Sequence, residues 1–220
     1  MILAEDEALL RGLLAQQLRL AGIEVVAEVE DGAAALKALE QHVVDVLLLD
    51  LQMPRLNGLD TLRRLKGRPH RPAVLVVTAL STDDDLLSAL REGADGYVLK
   101  ASAPADLVEA IERVARGESA VSGAMLRRLI EKAVNVPSNQ SSAADRKLLA
   151  SLTPHERVVV SLLGRGLSNQ ALAFELGVTV STAKTYVSRL LNKSGKSNRT
   201  ELALWGVQME QSGFDLLNSP

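Results

Sequence analysis

Five short apolar runs, separated by stretches of helical period, dominate the first hundred residues and restrict the fold more than any other feature. The runs cover residues 2–4, 23–27, 43–49, 73–77 and 96–99; each is short and mostly apolar, with a single acid in the second (Glu24) and in the third (Asp45). Strands that read this way are buried on both faces. Between the runs, Leu10, Leu13, Leu14 and Leu18 recur at helical spacing, as do Ala35, Leu36 and Leu39, then Leu59, Leu62 and Leu65. A further stretch after Pro104 sets Leu107, Val108, Ile111 and Val114 on one face. Strand and helix alternating five times predict a doubly wound α/β domain over residues 1–120, a parallel sheet with helices on both sides.

The character of the chain then changes. Residues 125–134 read as one more helix, and residues 136–142 are polar with a proline, so 121–147 is expected to be a helical extension and flexible linker. From about residue 148 the pattern is purely helical. Helices over 154–165, 169–176, 181–191 and 199–211 predict a second, all-α four-helix domain spanning 148–211, with a loose tail over 212–220.

Composition narrows the function classes. The chain has 25 basic and 27 acidic residues, a net charge of -2, and it is not a polybasic binder when taken as a whole. With no cysteine, a disulfide framework, a zinc–thiolate site and a thiol nucleophile are all excluded. Aromatics make up 2%, too few for a base-stacking platform. Glu5, Asp6 and Glu7 stand where a secretory signal needs positive charge, and no run approaches membrane-spanning length, so a cytoplasmic protein without membrane contact is expected.

In an open parallel sheet, ligands bind beyond the carboxyl ends of the strands. The residues at those ends are Glu5 and Asp6 after the first run, Asp50 after the third, Thr78 after the fourth and Lys100 after the fifth. Three carboxylates, a hydroxyl and an ammonium are thereby expected on one rim. Crowded carboxylates repel and need a cation, and a site with oxygen ligands alone suits magnesium. With Thr78 and Lys100 beside it, such a rim is equipped to stabilise a phosphoryl group on a carboxylate, which is nucleophilic catalysis by Asp. Any one of these residues alone is as readily a helix cap; five of the right types on ordered segments are not.

The segments Ala4-Glu5-Asp6-Glu7, Leu49-Asp50-Leu51-Gln52-Met53-Pro54 with Gly58, Val77-Thr78-Ala79 and Tyr97-Val98-Leu99-Lys100 resemble the receiver domain of two-component response regulators of the NarL/FixJ type, a flavodoxin-like (βα)5 fold. The resemblance implies that Asp50 accepts a phosphoryl group from a sensor histidine kinase. It further implies that Glu5, Asp6 and Asp50 hold magnesium with the backbone carbonyl of Gln52, and that Thr78 and Lys100 contact the phosphoryl oxygens. Tyr97 becomes an aromatic switch that turns inward after Thr78 moves. The acid pair is Glu-Asp where the family more often has Asp-Asp, a change that still permits metal binding. Leu80 and Gln52 flank the path of a hydrolytic water, and the apolar Leu80 helps that water little, so a phosphoryl group lasting minutes or more is expected.

In the second half, Thr153 is a candidate N-cap, Pro154 stands at the first helical position and Glu156 completes a capping box. A helix, a turn at Gly177 and a second helix capped by Ser181 follow helix-turn-helix grammar. Lys184, Arg189, Lys193, Lys196 and Arg199 follow Ser181 with no acidic residue among them. A cationic helix with small polar residues at its N-terminus suits entry into the major groove of DNA. The string from Leu152 to Trp205 resembles the LuxR-type helix-turn-helix. By that resemblance residues 181–191 form the recognition helix, with Lys184, Thr185 and Ser188 toward base edges and Thr182, Arg189 and Lys193 toward phosphates. Leu202, Ala203 and Trp205 serve the core or a dimer contact, Leu202 the core.

The reading is a DNA-binding transcriptional response regulator that forms a homodimer on phosphorylation and grips paired half-sites, with RNA polymerase as a further partner. Its competitor is an enzyme, an aspartyl-phosphate phosphohydrolase. Such an enzyme needs a second carboxylate two residues after the nucleophile, and Gln52 occupies that position. A third reading, a regulator with a vestigial acidic site, runs against the presence of all five rim residues. The near-neutral total charge is then an average: residues 1–147 carry 18 basic and 22 acidic groups, and residues 148–220 carry 7 and 5.

Overall fold

The computed structural model describes residues 1–66, 68, 71–79, 82–121, 143–196 and 198–211. The helix expected over 125–134, the linker over 136–142, the tail over 212–220 and Leu80 lie outside the described residues. The chain divides into two compact units between Val121 and Ser122.

The first unit holds strands β1 (Ile2–Ala4), β2 (Ala27–Val29), β3 (Val46–Asp50), β4 (Ala73–Thr78) and β5 (Gly96–Leu99). They alternate with helices α1 (Ala8–Leu20), α2 (Gly32–Gln41), α3 (Gly58–Leu65), α4 (Asp83–Arg91) and α5 (Pro104–Ala115). The sheet is parallel with the order β2-β1-β3-β4-β5. All five residues of β3 are buried, as a central strand covered on both faces requires. Val46 and Leu48 point to the side packed by Leu14, Ala15 and Leu18 of α1 and by Leu107, Ile111 and Val114 of α5. By the period-two pleat, Leu47 and Leu49 face the opposite side. The five runs of the sequence are therefore the five strands, with two shifts in position. The second strand is Ala27–Val29 rather than 23–27. It is an edge strand that pairs with β1 alone, while Ile23 and Val25 are spent packing against the core beside α1 and α5. The third begins at Val46, because Val43 is fully exposed before the chain enters the sheet.

The second unit holds α6 (Ala143–Ser151), α7 (Pro154–Gly164), α8 (Asn169–Leu176), α9 (Val180–Ser194) and α10 (Arg199–Gln211). Helix α6 precedes the four expected and crosses the boundary placed at residue 148. Its Leu149, with Leu152 just beyond, enters the same core as Val160, Leu163, Leu172, Val187, Leu190, Leu202 and Met209. Its Asp145 accepts a hydrogen bond of 2.8 Å from the indole N–H of Trp205. Trp205 is 3% exposed and Ala203 6%, so both belong to this core together with Leu202. The capping box at α7 is present as read: Thr153 accepts from the Glu156 amide and the Glu156 side chain accepts from the Thr153 amide.

Trp205 is the single tryptophan of the chain, so its fluorescence follows this unit alone. Asp145→Ala leaves the indole N–H without its acceptor and should cost about 1 kcal/mol, the net worth of one hydrogen bond. The measurement is urea unfolding read from tryptophan emission; an unchanged midpoint would detach α6 from the unit.

Candidate functional site

The strand order places β1 and β3 side by side with their carboxyl ends on the same edge. Glu5 follows β1 and is 1% exposed, Asp50 ends β3 and is 3% exposed, and Asp6 is open to solvent. Their carboxylate oxygens lie within 4.8 Å of one another. Lys100, the residue after β5, reaches across the rim and joins the two buried acids. Its Nζ lies 2.7 Å from Glu5 Oε2 and 2.9 Å from Asp50 Oδ2. The backbone of Lys100 is tied to the neighbouring strand, its amide donating to the Thr78 carbonyl at 2.8 Å. Thr78 itself is 1% exposed at the end of β4, one residue beyond Val77, the register partner of Asp50. Gln52 is exposed and its amide donates to Asp50 Oδ1 at 3.2 Å. The close turn after β3 needs the glycine of the motif, since a Cβ on Gly58 would stand 2.3 Å from the Asp50 carbonyl oxygen.

Electrostatics follow from the crowding. Burial pushes the Glu5 carboxyl above its ordinary 4.5, and the charge of Asp50 adds to that push against the hydrogen bond from Lys100. Burial works to lower Lys100, but its bonds to Glu5 and Asp50 outweigh that and raise it above 10.5. Tyr97 is 3% exposed, so its ring already lies inward in this structure. Burial, then the charges of Asp85 and Asp50, pushes its hydroxyl up to about 12. The three carboxylates offer oxygen ligands alone, and two of them are buried with one shared ammonium for compensation. That donor set fits a hard divalent cation such as magnesium.

Arg11 was not a candidate on sequence grounds. Its guanidinium donates to the Glu5 carbonyl at 2.6 Å and so braces the turn that carries the acid pair. No spacing rule points to such a contact.

In the second unit the helix expected over 181–191 runs from Val180 to Ser194. Its N-cap is Thr179 rather than Ser181, because Thr179 has extended backbone and its hydroxyl accepts from the Thr182 amide at 3.1 Å. The preceding turn is closed by Gly177 in the left-handed conformation, φ 65°. Ala183, Val187 and Leu190 are buried, so Ser181, Lys184, Thr185, Ser188, Arg189, Asn192 and Lys193 form one exposed stripe. Thr182 is half-buried beside it. The five cations that follow Ser181 stand in different environments. Lys184 and Arg189 are exposed on the stripe, but Lys193 pairs with Glu156 at 2.6 Å and Lys196 lies 5.9 Å from the Trp205 ring centre. Arg199 is buried, bonded to Asn169 Oδ1 at 2.5 Å and to the Leu167 carbonyl.

A receiver-type fold bearing an acidic rim, with a helix-turn-helix unit beside it in the chain, defines a class, and the comparisons agree. The profile described as "Response regulator receiver domain" matches residues 1–112, and that described as "Bacterial regulatory proteins, luxR family" matches residues 150–205. The chain belongs to the NarL/LuxR-family response regulators, DNA-binding transcription regulators of two-component systems. It is similar to the nitrate/nitrite response regulator protein NarL of Escherichia coli (strain K12), 35% identical over 93% of each chain. It is also similar to the transcriptional regulatory protein LiaR of Bacillus subtilis (strain 168), 29% identical over 93% of this chain and 94% of that one. Among solved structures, a LuxR-family two-component response regulator from Aurantimonas sp. SI85-9A1 is 30% identical with a TM-score of 0.54, covering 60% of this chain and 96% of that one. RcsB from Salmonella typhimurium shares the fold, with a TM-score of 0.54 at 23% identity over 88% of this chain and 90% of that one. Among the described residues no helix is long and apolar enough to cross a membrane.

The raised carboxyl of Glu5 sets a sign for pH dependence. Between neutral pH and the ordinary value of 4.5 the folded state holds more protons at Glu5 than the unfolded state, so its contribution to stability rises as pH falls. Glu5→Gln should remove that component. Urea titrations in a chelator, read from the Leu47 and Leu49 methyl resonances, should show a larger gain from pH 7 to about 5 in the natural protein than in the variant; equal slopes would refute the assignment.

Proposed function

We propose that Asp50 is the phospho-acceptor of a receiver domain over residues 1–120. In this reading its phosphorylation by a sensor histidine kinase controls DNA binding by a helix-turn-helix domain whose described helices begin with α6. The observation that carries this reading is the Asp50 carboxylate, buried at the rim, joined to Lys100 and set within 4.8 Å of the Glu5 and Asp6 oxygens. An Asp50 oxygen attacks phosphorus, the bond from phosphorus to the donor nitrogen breaks, and the donor histidine leaves with a proton. Lys100 then pairs with the transferred group, and the Thr78 hydroxyl bonds one of its oxygens. Glu5, Asp6, Asp50 and the Gln52 carbonyl would hold magnesium, which when bound neutralises charge on the phosphoryl oxygens. The modification adds about 1.5–2 negative charges at neutral pH. Tyr97 already feels the charges of both Asp50 and Asp85 of α4, which supports a role in relaying the change.

Phosphorylation promotes homodimerisation in this reading, and two recognition helices then meet half-sites about one helical turn apart. Lys184, Thr185 and Ser188 face base edges, and Thr182, Arg189 and Lys193 face phosphates. The exposed stripe of α9 supports the assignment, with Lys193 the weakest member because Glu156 already holds it. The protein acts in the cytoplasm, with RNA polymerase as a downstream partner. Gln52 in place of a second carboxylate favours a regulator over a phosphohydrolase.

Asp50→Asn should abolish labelling by acetyl phosphate with magnesium while leaving basal DNA affinity in mobility-shift assays. Persistent labelling would remove Asp50 from the role. On the DNA side, Arg189→Ala should weaken binding to all sequences alike and reduce the salt slope by about 1. Lys184→Ala should instead relax sequence preference by about 1–3 kcal/mol at one base pair. Binding selections across a range of salt concentrations separate the two, and identical behaviour would refute the division of roles.

A further inference from the structure

The loop carrying Gln52 contains a backbone conformation that side chains seldom adopt. Arg55 has φ 61°, and every other positive φ among the described residues belongs to glycine. In the left-handed region a Cβ crowds the following carbonyl, and a residue stays there only when its surroundings over-determine it. The surroundings here are two acids between β2 and α2. The Arg55 guanidinium donates through Nε to Asp31 Oδ2, and through Nη2 to Glu30 Oε1 at 2.5 Å.

Asp31 is a fixed anchor. It is 3% exposed, and its other oxygen accepts from the Ala34 amide at 2.7 Å as the N-cap of α2. That amide first, and the guanidinium with it, outweigh burial and hold its carboxyl below the usual range, so it is charged at neutral pH. An exposed ion pair is worth little because both partners are mobile; here one partner is immobile and desolvated. The loop is tied at two further points, by the Gly32 amide to the Leu56 carbonyl and by the Gly58 amide to the Leu51 carbonyl, each at 3.0 Å. Arg55 sits between these ties, three residues after Gln52 and one before Leu56.

We propose that Arg55 is a positioning residue for the phosphorylation site. Its ion pair with Asp31 holds residues 51–57 in the strained conformation from which the Gln52 backbone serves the metal. The proposal rests on reading Glu5, Asp6 and Asp50 as a magnesium site. It assigns the side chain one task, which is to keep a non-glycine residue in a glycine's conformation. A glycine at 55 needs no such restraint.

The test is a magnesium titration of the full-length, isotopically labelled protein without any phosphodonor, read from the amide resonances of Gln52 and Met53. Arg55→Ala should raise the half-saturating magnesium concentration about three- to tenfold. Asp31→Asn keeps an acceptor for the Ala34 amide, loses the charge and should do the same. Arg55→Gly should return the value to within about twofold of the natural protein. Labelling by acetyl phosphate should follow the same order in its magnesium dependence, with the rate at saturating magnesium unchanged. A purely structural role would lower the urea midpoint of the glycine and alanine variants alike and leave the magnesium dependence unmoved. Equal half-saturation in Arg55→Ala and the natural protein would overturn the proposal, as would an Arg55→Gly variant as weak as Arg55→Ala. Amides of the natural protein that do not respond to magnesium would overturn the metal reading beneath it. Whether Asp50 is the acceptor is decided separately, by the labelling of Asp50→Asn.

Discussion

Two carboxylates buried side by side repel, and neither can be stripped of water without a compensating charge. In this protein the compensation is one ammonium, that of Lys100, shared between Glu5 and Asp50. Everything around the rim serves that arrangement. The strand order brings β1 against β3 so that the two acids are neighbours, and β5 delivers the lysine from two strands away. Parallel strands are a requirement here, because only they set all the carboxyl ends on one edge. The arrangement is costly in stability: three carboxylates share one ammonium, and the rim keeps an excess of negative charge that a divalent cation is suited to neutralise.

Much of this architecture could be read from residue order. Buried parallel strands announce themselves as apolar runs, and the ends of four of the five runs point to the rim residues. The departures have physical causes. Residues 23–27 look like a strand because they are apolar, but Ile23 and Val25 pack beneath α1 and α5 while the edge strand forms from the more polar Ala27–Val29. The polar start of α6 reads as linker, but the Asp145 bond to Trp205 and the burial of Leu149 join this helix to the core of the second unit. The role of Arg55 was invisible, since a positive φ at an arginine depends on partners 24 and 25 residues away.

Charge was the least legible property of the second unit. Five cations in nineteen residues suggest one basic surface, but their environments differ. Arg199 is taken inside by Asn169 and Leu167, tying the start of α10 to the loop before α8. Lys196 rests near the indole that fills the core. A guanidinium's planar fork satisfies buried acceptors from several segments at once, so an arginine in a basic run is as fit for holding a fold together as for holding a phosphate.

The pairing of Lys193 with Glu156 links two features that are separate in the sequence. Glu156 caps the start of α7 through the Thr153 amide and holds Lys193 of α9 with the same oxygen. In the proposed DNA complex a phosphate meeting Lys193 would therefore displace an anion already in place rather than fill a vacancy. The helix end that loses its lysine keeps its cap but regains a free negative charge, close to a polyanion. Contact at that end of α9 would thus be an exchange of one acid for another. Its net gain would be smaller than a free lysine gives, with part of its strength set by Glu156.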